Sequence, residues 1–367
     1  MRVHLVDPSA FTPPYDHALA GALARAGADV ELVTSRFAYG PVPRADGYTV
    51  SEPFYRRTPG APASRLRFAA KLAQHGPDML RYRRASAAAD VVHFQWLTVQ
   101  PLDVHLLPRE RPLVLTAHDV LPREPRRGQL AAQRRLYERM DAVIVHSQHG
   151  RDRLTDELGI DPARTHVVAH GAFDYLTRIE EAQPLPAELA GVEAPVVLCF
   201  GLMRPYKGLD VLLDAWRGIE GGELWIVGMP RMAIDDLRRD APENVRFVPR
   251  FIPDSEIPAY FRRADLVVLP YRQIDQSGVL FTALAFGSPL LLSAVGGFPE
   301  VAATGAAELV APGDPKALHE TLAGLLADSD RRERLAVGAR AAAAGPYSWD
   351  TVAQATLEVY RGLGVAL

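Results

Sequence analysis

The sequence predicts two Rossmann-like α/β units in tandem, each a doubly wound parallel sheet, and three observations predict it. Short apolar runs alternate with longer helical stretches along the whole chain. The runs are rich in valine, isoleucine and leucine, the pattern of parallel strands buried on both faces. A proline-rich break near the middle parts them into two series. A length of 367 residues suits two domains of about 180 each.

In the first series the runs are Val3–Val6, Val30–Thr34, Val91–Phe94, Leu113–Thr116, Ala142–His146 and His166–Ala169. In the second they are Val196–Phe200, Leu224–Val227, Val245–Val248, Leu266–Leu269 and Leu290–Ser293. Between them His17–Ala26, Leu209–Trp216 and Asp314–Ala327 read as helices. Residues 181–195 hold Pro184, Pro186 and Pro195 and read as a linker, so the domains are expected at 1–180 and 196–347. Residues 348–367 read as a capped amphipathic helix with Trp349, Val352, Leu357 and Tyr360 on one face.

Composition excludes several function classes. Hydrophobic residues make up 48% and charged residues 23%, as in a soluble globular protein. The net charge of −3 gives no global field for nucleic acid. No run reaches the ~18 apolar residues of a membrane span, and the start reads as a strand, so a cytoplasmic chain is expected. The single cysteine, Cys199, rules out an internal disulfide framework and reads as a buried strand thiol. Lysine occurs only at 71, 207 and 316 in a chain with 41 basic residues. A surviving lysine then hints at a place that needs a compact ammonium.

Ligands of open α/β sheets bind beyond the carboxyl ends of strands, so the residues after each run carry the functional reading. After Val196–Phe200 come Gly201, Arg204, Lys207 and Gly208: a glycine for close approach and two cations suited to a diphosphate. After Leu266–Leu269 come Asp275, Ser277, Gly278 and Val279 at a helix start, where free N–H groups favour an anion. The alternative is that Ser277 caps the helix and Asp275 faces solvent. After Leu290–Ser293 come Gly296, Gly297 and Glu300. In the first half His118 follows Leu113–Thr116, while His93, His146 and His170 stand at similar strand ends. There is no G-x-G-x-x-G, Walker A, H-E-x-x-H or cysteine cluster. Asp328 and Asp330 match a D-x-D spacing and read as surface, so no metal ligand is named.

Together these segments resemble the GT-B retaining glycosyltransferases of family 4, most strongly from Val196 to Val310. Phe200–Gly208 is similar to that family's phosphate loop, and Phe251–Asp265 to its approach to the base pocket. Ala283–Pro289 followed by Val295–Glu300 matches a further family segment. Three departures stand out. Leu202 occupies a place often held by arginine, and Thr282 stands where a ribose-gripping glutamate is usual. The loop after the first strand is Pro8–His17, rich in proline and without the usual glycine pair.

The resemblance implies two Rossmann-like domains facing across a cleft, with the last helix returning to the first. It implies metal-independent, retaining transfer from a nucleoside-diphosphate sugar, as co-substrate and without a cofactor, to an unidentified acceptor (glycan, lipid-linked or small molecule). It assigns Arg204, Lys207, His118 and Asp275 to catalysis. Gly201, Ser277, Gly278, Val279, Thr282, Glu300, Phe251 and Ile252 are assigned to the donor. An epimerase of the same fold, or a non-catalytic nucleotide-sugar binder, would share much of this pattern.

The stretch Tyr55–Arg84 carries eight cations, Arg56, Arg57, Arg65, Arg67, Lys71, Arg81, Arg83 and Arg84, against Asp78 alone. With Phe68, Leu72, Met79 and Leu80 it reads either as a solvated helix face or as peripheral contact with an anionic membrane at its inner face.

Overall fold

The computed structural model describes residues 1–59, 61, 64–122 and 127–366. Positions 60, 62 and 63 of the basic stretch lie outside the described residues. The chain parts into two compact units, Met1–Gly171 with Trp349–Leu367, and Ala172–Ser348. Residues 181–195 group with the second unit and carry a short helix of their own, Ala187–Ala190.

The first unit is built on seven parallel strands: β1 (Arg2–Asp7), β2 (Asp29–Ser35), β3 (Thr49–Phe54), β4 (Val91–Phe94), β5 (Leu113–Thr116), β6 (Ala142–Val145) and β7 (Thr165–Val167). Their order is β3-β2-β1-β4-β5-β6-β7. Helices α1 (Pro13–Arg25), α2 (Arg65–Ala85), α3 (Gln100–Leu106), α4 (Gln129–Glu138) and α5 (Gln148–Leu158) make the crossovers. Val92, Phe94, Val143 and Val145 form the centre of its core, all fully buried.

The second unit holds α6 (Ala187–Ala190) and six parallel strands: β8 (Val196–Phe200), β9 (Glu223–Val227), β10 (Val245–Val248), β11 (Leu266–Leu269), β12 (Leu290–Ser293) and β13 (Ala307–Val310). The order is β10-β9-β8-β11-β12-β13. Its helices are α7 (Leu209–Trp216), α8 (Asp235–Arg239), α9 (Ile257–Arg263), α10 (Gly278–Ala285), α11 (Phe298–Ala302), α12 (Pro315–Ala327) and α13 (Ser329–Ala344). Trp216, Leu212 and Leu322 pack under β8 and β9. Asp314 caps α12 by accepting from the N–H groups of Lys316 and Ala317, both at 3.0 Å. Asp328 caps α13 by accepting from Arg331 N–H at 2.8 Å, so this acid of the D-x-D spacing has a structural task.

The last helix, α14 (Trp349–Gly362), belongs to the first unit and packs on α1. Arg25 pairs with Asp350 at 2.7 Å. Tyr360 is fully buried, with its hydroxyl 2.6 Å from His93 Nδ1. Gly171 lets the Trp349 ring close on the backbone, since a Cβ there would stand 2.5 Å from the indole.

Both sheets reverse strand order once, between β1 and β4 and between β8 and β11. Those are the switch points where open α/β sheets take ligands.

Candidate functional site

At the second unit's switch point the β8–α7 loop meets the β11–α10 loop. Gly201 leaves β8 with φ +103°, and a Cβ on it would stand 2.9 Å from Lys207 Nζ and 3.0 Å from Val279. That one glycine lets the ammonium of one loop and the first turn of α10 approach the same backbone. Gly208, at φ +66°, abuts the Pro270 carbonyl, where a Cβ would come within 2.2 Å. No side chain fits at Gly208 without moving the β11–α10 loop, and at Gly201 one would be strained and would crowd Lys207 and Val279.

Lys207 is only 6% exposed, and its Nζ lies 4.9 Å from the centre of the fully buried Tyr271 ring. The loops are clasped by Arg272. Its N–H donates to the Tyr206 carbonyl at 2.8 Å, and its guanidinium binds the Pro205 carbonyl and the Asp210 carboxylate. Hydrogen bonding from Arg272 holds the Asp210 carboxyl below the usual range. Arg204 is exposed on the β8–α7 loop and makes no ion pair among the described residues.

The Ser277 side chain does not cap α10, and its hydroxyl lies 3.4 Å from the Tyr271 hydroxyl. Asp275 is 8% exposed, not solvent-facing. Its carbonyl accepts from Gly297 N–H at 3.1 Å, and Gly296, at φ +55°, abuts the Ile274 carbonyl. The third loop is thereby locked against the second. Gly278 is approached by Phe173, whose ring would stand 3.3 Å from a Cβ there. The Thr282 hydroxyl donates to the Gly278 carbonyl at 3.0 Å, which leaves only its lone pairs. Glu300 lies half-buried in the first turn of α11. Burial first, and the Glu300 charge second, push the Tyr347 hydroxyl up to about 12. Phe251 is exposed and Ile252 buried on the loop after β10, on the same sheet edge. Burial pushes the Cys199 thiol up to about 11, as suits an inert strand residue.

The first unit's switch point is built differently. Asp7 ends β1, and its carboxylate accepts from the N–H groups of Ser9, Phe11 and Thr12. It also bonds Asp16, and burial raises both carboxyls, Asp16 well above the usual range. Two buried carboxyls this close disfavour ionising together. This bonding shapes the loop that has no glycine, and Ala10 takes the left-handed conformation at φ +49°. Trp96 Nε1–H donates to Thr12 at 2.9 Å and ties the end of β4 to it.

Four histidines converge there. His93 is fully buried between the Tyr360 and Thr116 hydroxyls, and burial takes it down to about 3. His146 Nδ1–H donates to the Val168 carbonyl at 3.0 Å, and burial takes this residue down to about 4. Its Nε2 then accepts from His118 Nδ1, 3.1 Å away. Burial first, then the neighbouring histidines, hold His118 and His170 well below the ordinary value. A neutral His118 carries a lone pair on Nε2, which lies 3.2 Å from the Gln95 amide. The amide satisfies it with its two ends exchanged, which also gives the otherwise unpartnered Gln95 Nε2 an acceptor. Trp96 stacks on His118 at 5.0 Å, and the buried Tyr15 packs its ring against His118, His146, His170 and Trp349.

The structure thus brings Lys207 and Ser277 to Tyr271, sets Gly201 beside Lys207 and Val279, ties the Asp275 backbone to Gly297, and places His118 in a cluster of the first unit. Tyr271, Arg272, Asp210 and Phe173 were not found from sequence. Tyr271 and Arg272 lie just past the end of β11, after Pro270, which is the one signal that points to them. Among the described residues no three His, Cys, Asp or Glu side chains group to hold a metal ion, and no helix is long and apolar enough to cross a membrane.

Comparison with known proteins identifies the family and the fold. Residues 194–328 match the model described as "Glycosyl transferases group 1", and residues 15–172 match "Glycosyltransferase Family 4". The chain is 30% identical over 320 residues to a D-inositol 3-phosphate glycosyltransferase of Salinispora arenicola, covering 76% of this chain and 69% of that one. Sucrose-phosphate synthase from Thermosynechococcus elongatus has the same fold, with a TM-score of 0.74, 21% identity and full coverage of both chains. Anabaena Alr3699/HepE in complex with UDP-glucose gives 0.73 at 18% identity, again over the whole of both.

Proposed function

The chain belongs to the group 1, family 4 glycosyltransferases, GT-B enzymes that use nucleotide sugars, and from that premise we propose a retaining, metal-independent transfer from a nucleoside-diphosphate sugar to an acceptor hydroxyl. The observation that carries the reading is Lys207, buried beside Gly201 and over the Tyr271 ring at a sheet's switch point.

As the anomeric bond breaks, negative charge grows on the departing diphosphate. Lys207, Arg204 and the N-terminal amides of α10 at Ser277, Gly278 and Val279 are set to stabilise it. They supply the charge compensation that a divalent ion supplies elsewhere. No protein nucleophile is invoked: the acceptor attacks on the face the diphosphate leaves, and a phosphate oxygen takes its proton. Asp275 accepts from sugar hydroxyls, and His118 offers a neutral imidazole to a sugar oxygen. Ile252 and Phe251 line the approach of the base. Glu300 takes the ribose, because the Thr282 hydroxyl already donates inside its helix.

Thermal shift against a panel of nucleotide sugars identifies the donor, since a ligand of the folded state raises the melting temperature. The proton spectrum of the product then reads its anomeric configuration. Inversion, or activity lost to EDTA and restored by Mg²⁺, overturns the mechanism. Release of free nucleotide without glycosylated product would mark an epimerase.

The outer face of α2 supports a peripheral membrane role as well. Leu66, Phe68, Leu72 and Leu80 are 46–71% exposed there, among Arg65, Arg81 and Arg84. Co-sedimentation with vesicles should rise with anionic lipid, and equal binding to neutral vesicles removes this role.

A further inference from the structure

The inner side of the same helix faces a cavity. It has a volume of about 770 Å³ at the carboxyl ends of β2 and β3, room for a small ligand. Arg36, Arg56, Arg67 and Lys71 line it, with Glu52 as the one carboxylate in its wall. None of the four cations makes an ion pair with a described carboxylate. Arg67 spends one N–H on the Thr58 carbonyl at 3.1 Å and Arg56 one on the Glu52 carbonyl at 3.1 Å, so most of their donors stay open.

Two features mark this as a built site. Ser35, at the end of β2, lines the cavity with a hydroxyl that is buried, 3% exposed, and without a hydrogen-bond partner among the described residues. A buried hydroxyl left unbonded is costly, and a ligand oxygen would satisfy it. The floor is Tyr55, held in the left-handed conformation at φ +49°. Its N–H donates to Asp78 at 2.8 Å, and its hydroxyl lies 2.6 Å from His75, which is paired in turn with the fully buried Asp103. Lys71 Nζ sits 5.0 Å from the centre of this fixed ring. Lys207 stands in the same way over Tyr271, so two of the chain's three lysines share one arrangement, one in each unit. Lys71 is half-buried beside Arg67, and burial first, then the Arg67 charge, lower its pKa.

We propose that this cavity is an anion subsite of the first unit, binding a phosphoryl group of the acceptor through Lys71, Arg67, Arg36, Arg56 and the Ser35 hydroxyl. It rests on the glycosyl-transfer reading, for which it names the acceptor class. Phe37, Val50 and Phe54 in the wall suit an organic body attached to that phosphate. The source is a soluble phosphate ester or a lipid headgroup, and the chemistry is shared.

The test titrates inorganic phosphate into the full chain, followed by ³¹P NMR, for wild type, Lys71→Gln with Arg67→Gln, Ser35→Ala and Lys207→Gln. Nucleoside-diphosphate affinity is measured on the same samples. The double variant should weaken phosphate at least about tenfold and leave nucleotide affinity and melting temperature unchanged. Ser35→Ala should weaken it about threefold. Lys207→Gln should do the reverse, losing nucleotide and keeping phosphate. Phosphate that fails to saturate the wild type, or that leaves with Lys207 and not with Lys71, overturns the subsite. A chain that binds phosphate through Lys71 yet binds no nucleotide keeps the subsite and loses the transferase reading. Vesicles of phosphatidic acid and of phosphatidylglycerol, at equal mole fraction, identify the source. Lys71-dependent preference for phosphatidic acid assigns the site to a lipid monoester, and equal retention assigns it to a soluble ester.

Discussion

The two switch points share a topology and almost nothing else. In the second unit, glycines at positive φ bring an ammonium, a helix start and a locked third loop onto one strand end. In the first, the loop after β1 holds no glycine: a buried carboxylate shapes it, and the strand ends carry neutral histidines among aromatic rings. The fold fixes where a ligand can sit, and the side chains fix which charge it must bring. On the proposed reading, one site takes an anion and the other an uncharged oxygen.

The largest expected effect tests that contrast. Lys207→Ala should lower turnover by roughly 10²–10³, the range for removing one preorganised charge partner of a transition state. His118→Ala should lower turnover too but leave nucleoside-diphosphate affinity within about twofold, because a neutral ring contributes little to binding an anion. Calorimetry on both variants decides it: equal loss of diphosphate affinity breaks the contrast.

Next comes Gly201→Ala. A side chain at φ +103° is strained, and its methyl would meet Lys207 Nζ at 2.9 Å and Val279 at 3.0 Å. We expect about 1–3 kcal/mol of lost stability in denaturant melts, with weaker nucleotide binding. Unchanged melts would show that the loop gives way freely and that the glycine is not what gathers the site.

These contacts also explain how much was readable in the sequence. Central strands are buried on both faces and announce themselves as apolar runs. The two strands not expected, β3 and β13, are sheet edges: Thr49, Val50 and Glu52 are exposed, and so is Leu309. The second unit's candidate site was legible because glycine and lysine are distinctive residues in the loop after β8. Tyr271 and Arg272 were not, since nothing local separates a supporting tyrosine from an ordinary loop residue. The histidines were visible one at a time, but their convergence depends on β4, β5 and β6 lying side by side. On α2 the pattern hid a split: Met79 is fully buried while Phe68, Leu72 and Leu80 face out. Lys71, read there as part of a basic face, lines a cavity instead.

The histidine cluster gives a smaller effect, in pH. His146 has a folded pKa of about 4 against an ordinary 6.5, so the unfolded chain binds its proton first. Its contribution to stability is complete above pH 6.5 and is lost as pH falls from there toward 4. The slope is about 1.4 kcal/mol per pH unit for one such group. Denaturant melts at about pH 7 and about pH 5 should show His146→Gln losing less stability on acidification than wild type. An unchanged slope would mean the ring is not held neutral.

The smallest effect falls at Ala10, the first unit's counterpart to Gly201. Its φ of +49° costs an L residue about 1–2 kcal/mol, which Ala10→Gly relieves. Two terms oppose that gain. Glycine gives the unfolded chain more freedom, worth about 0.4–1 kcal/mol. The Ala10 methyl is also buried, 6% exposed, and its loss costs about 0.8 kcal/mol. The sum is centred on zero and lies within about 0.8 kcal/mol of it, so the melting temperature should move little. Asp7→Asn keeps the shape but removes the charge that accepts from Ser9, Phe11 and Thr12, and it should cost more than Ala10→Gly. That ranking follows if the carboxylate, and not the backbone freedom of position 10, sets the loop. A clear rise in stability with Ala10→Gly would show that strain at this position dominates, and that the two switch points need glycine alike.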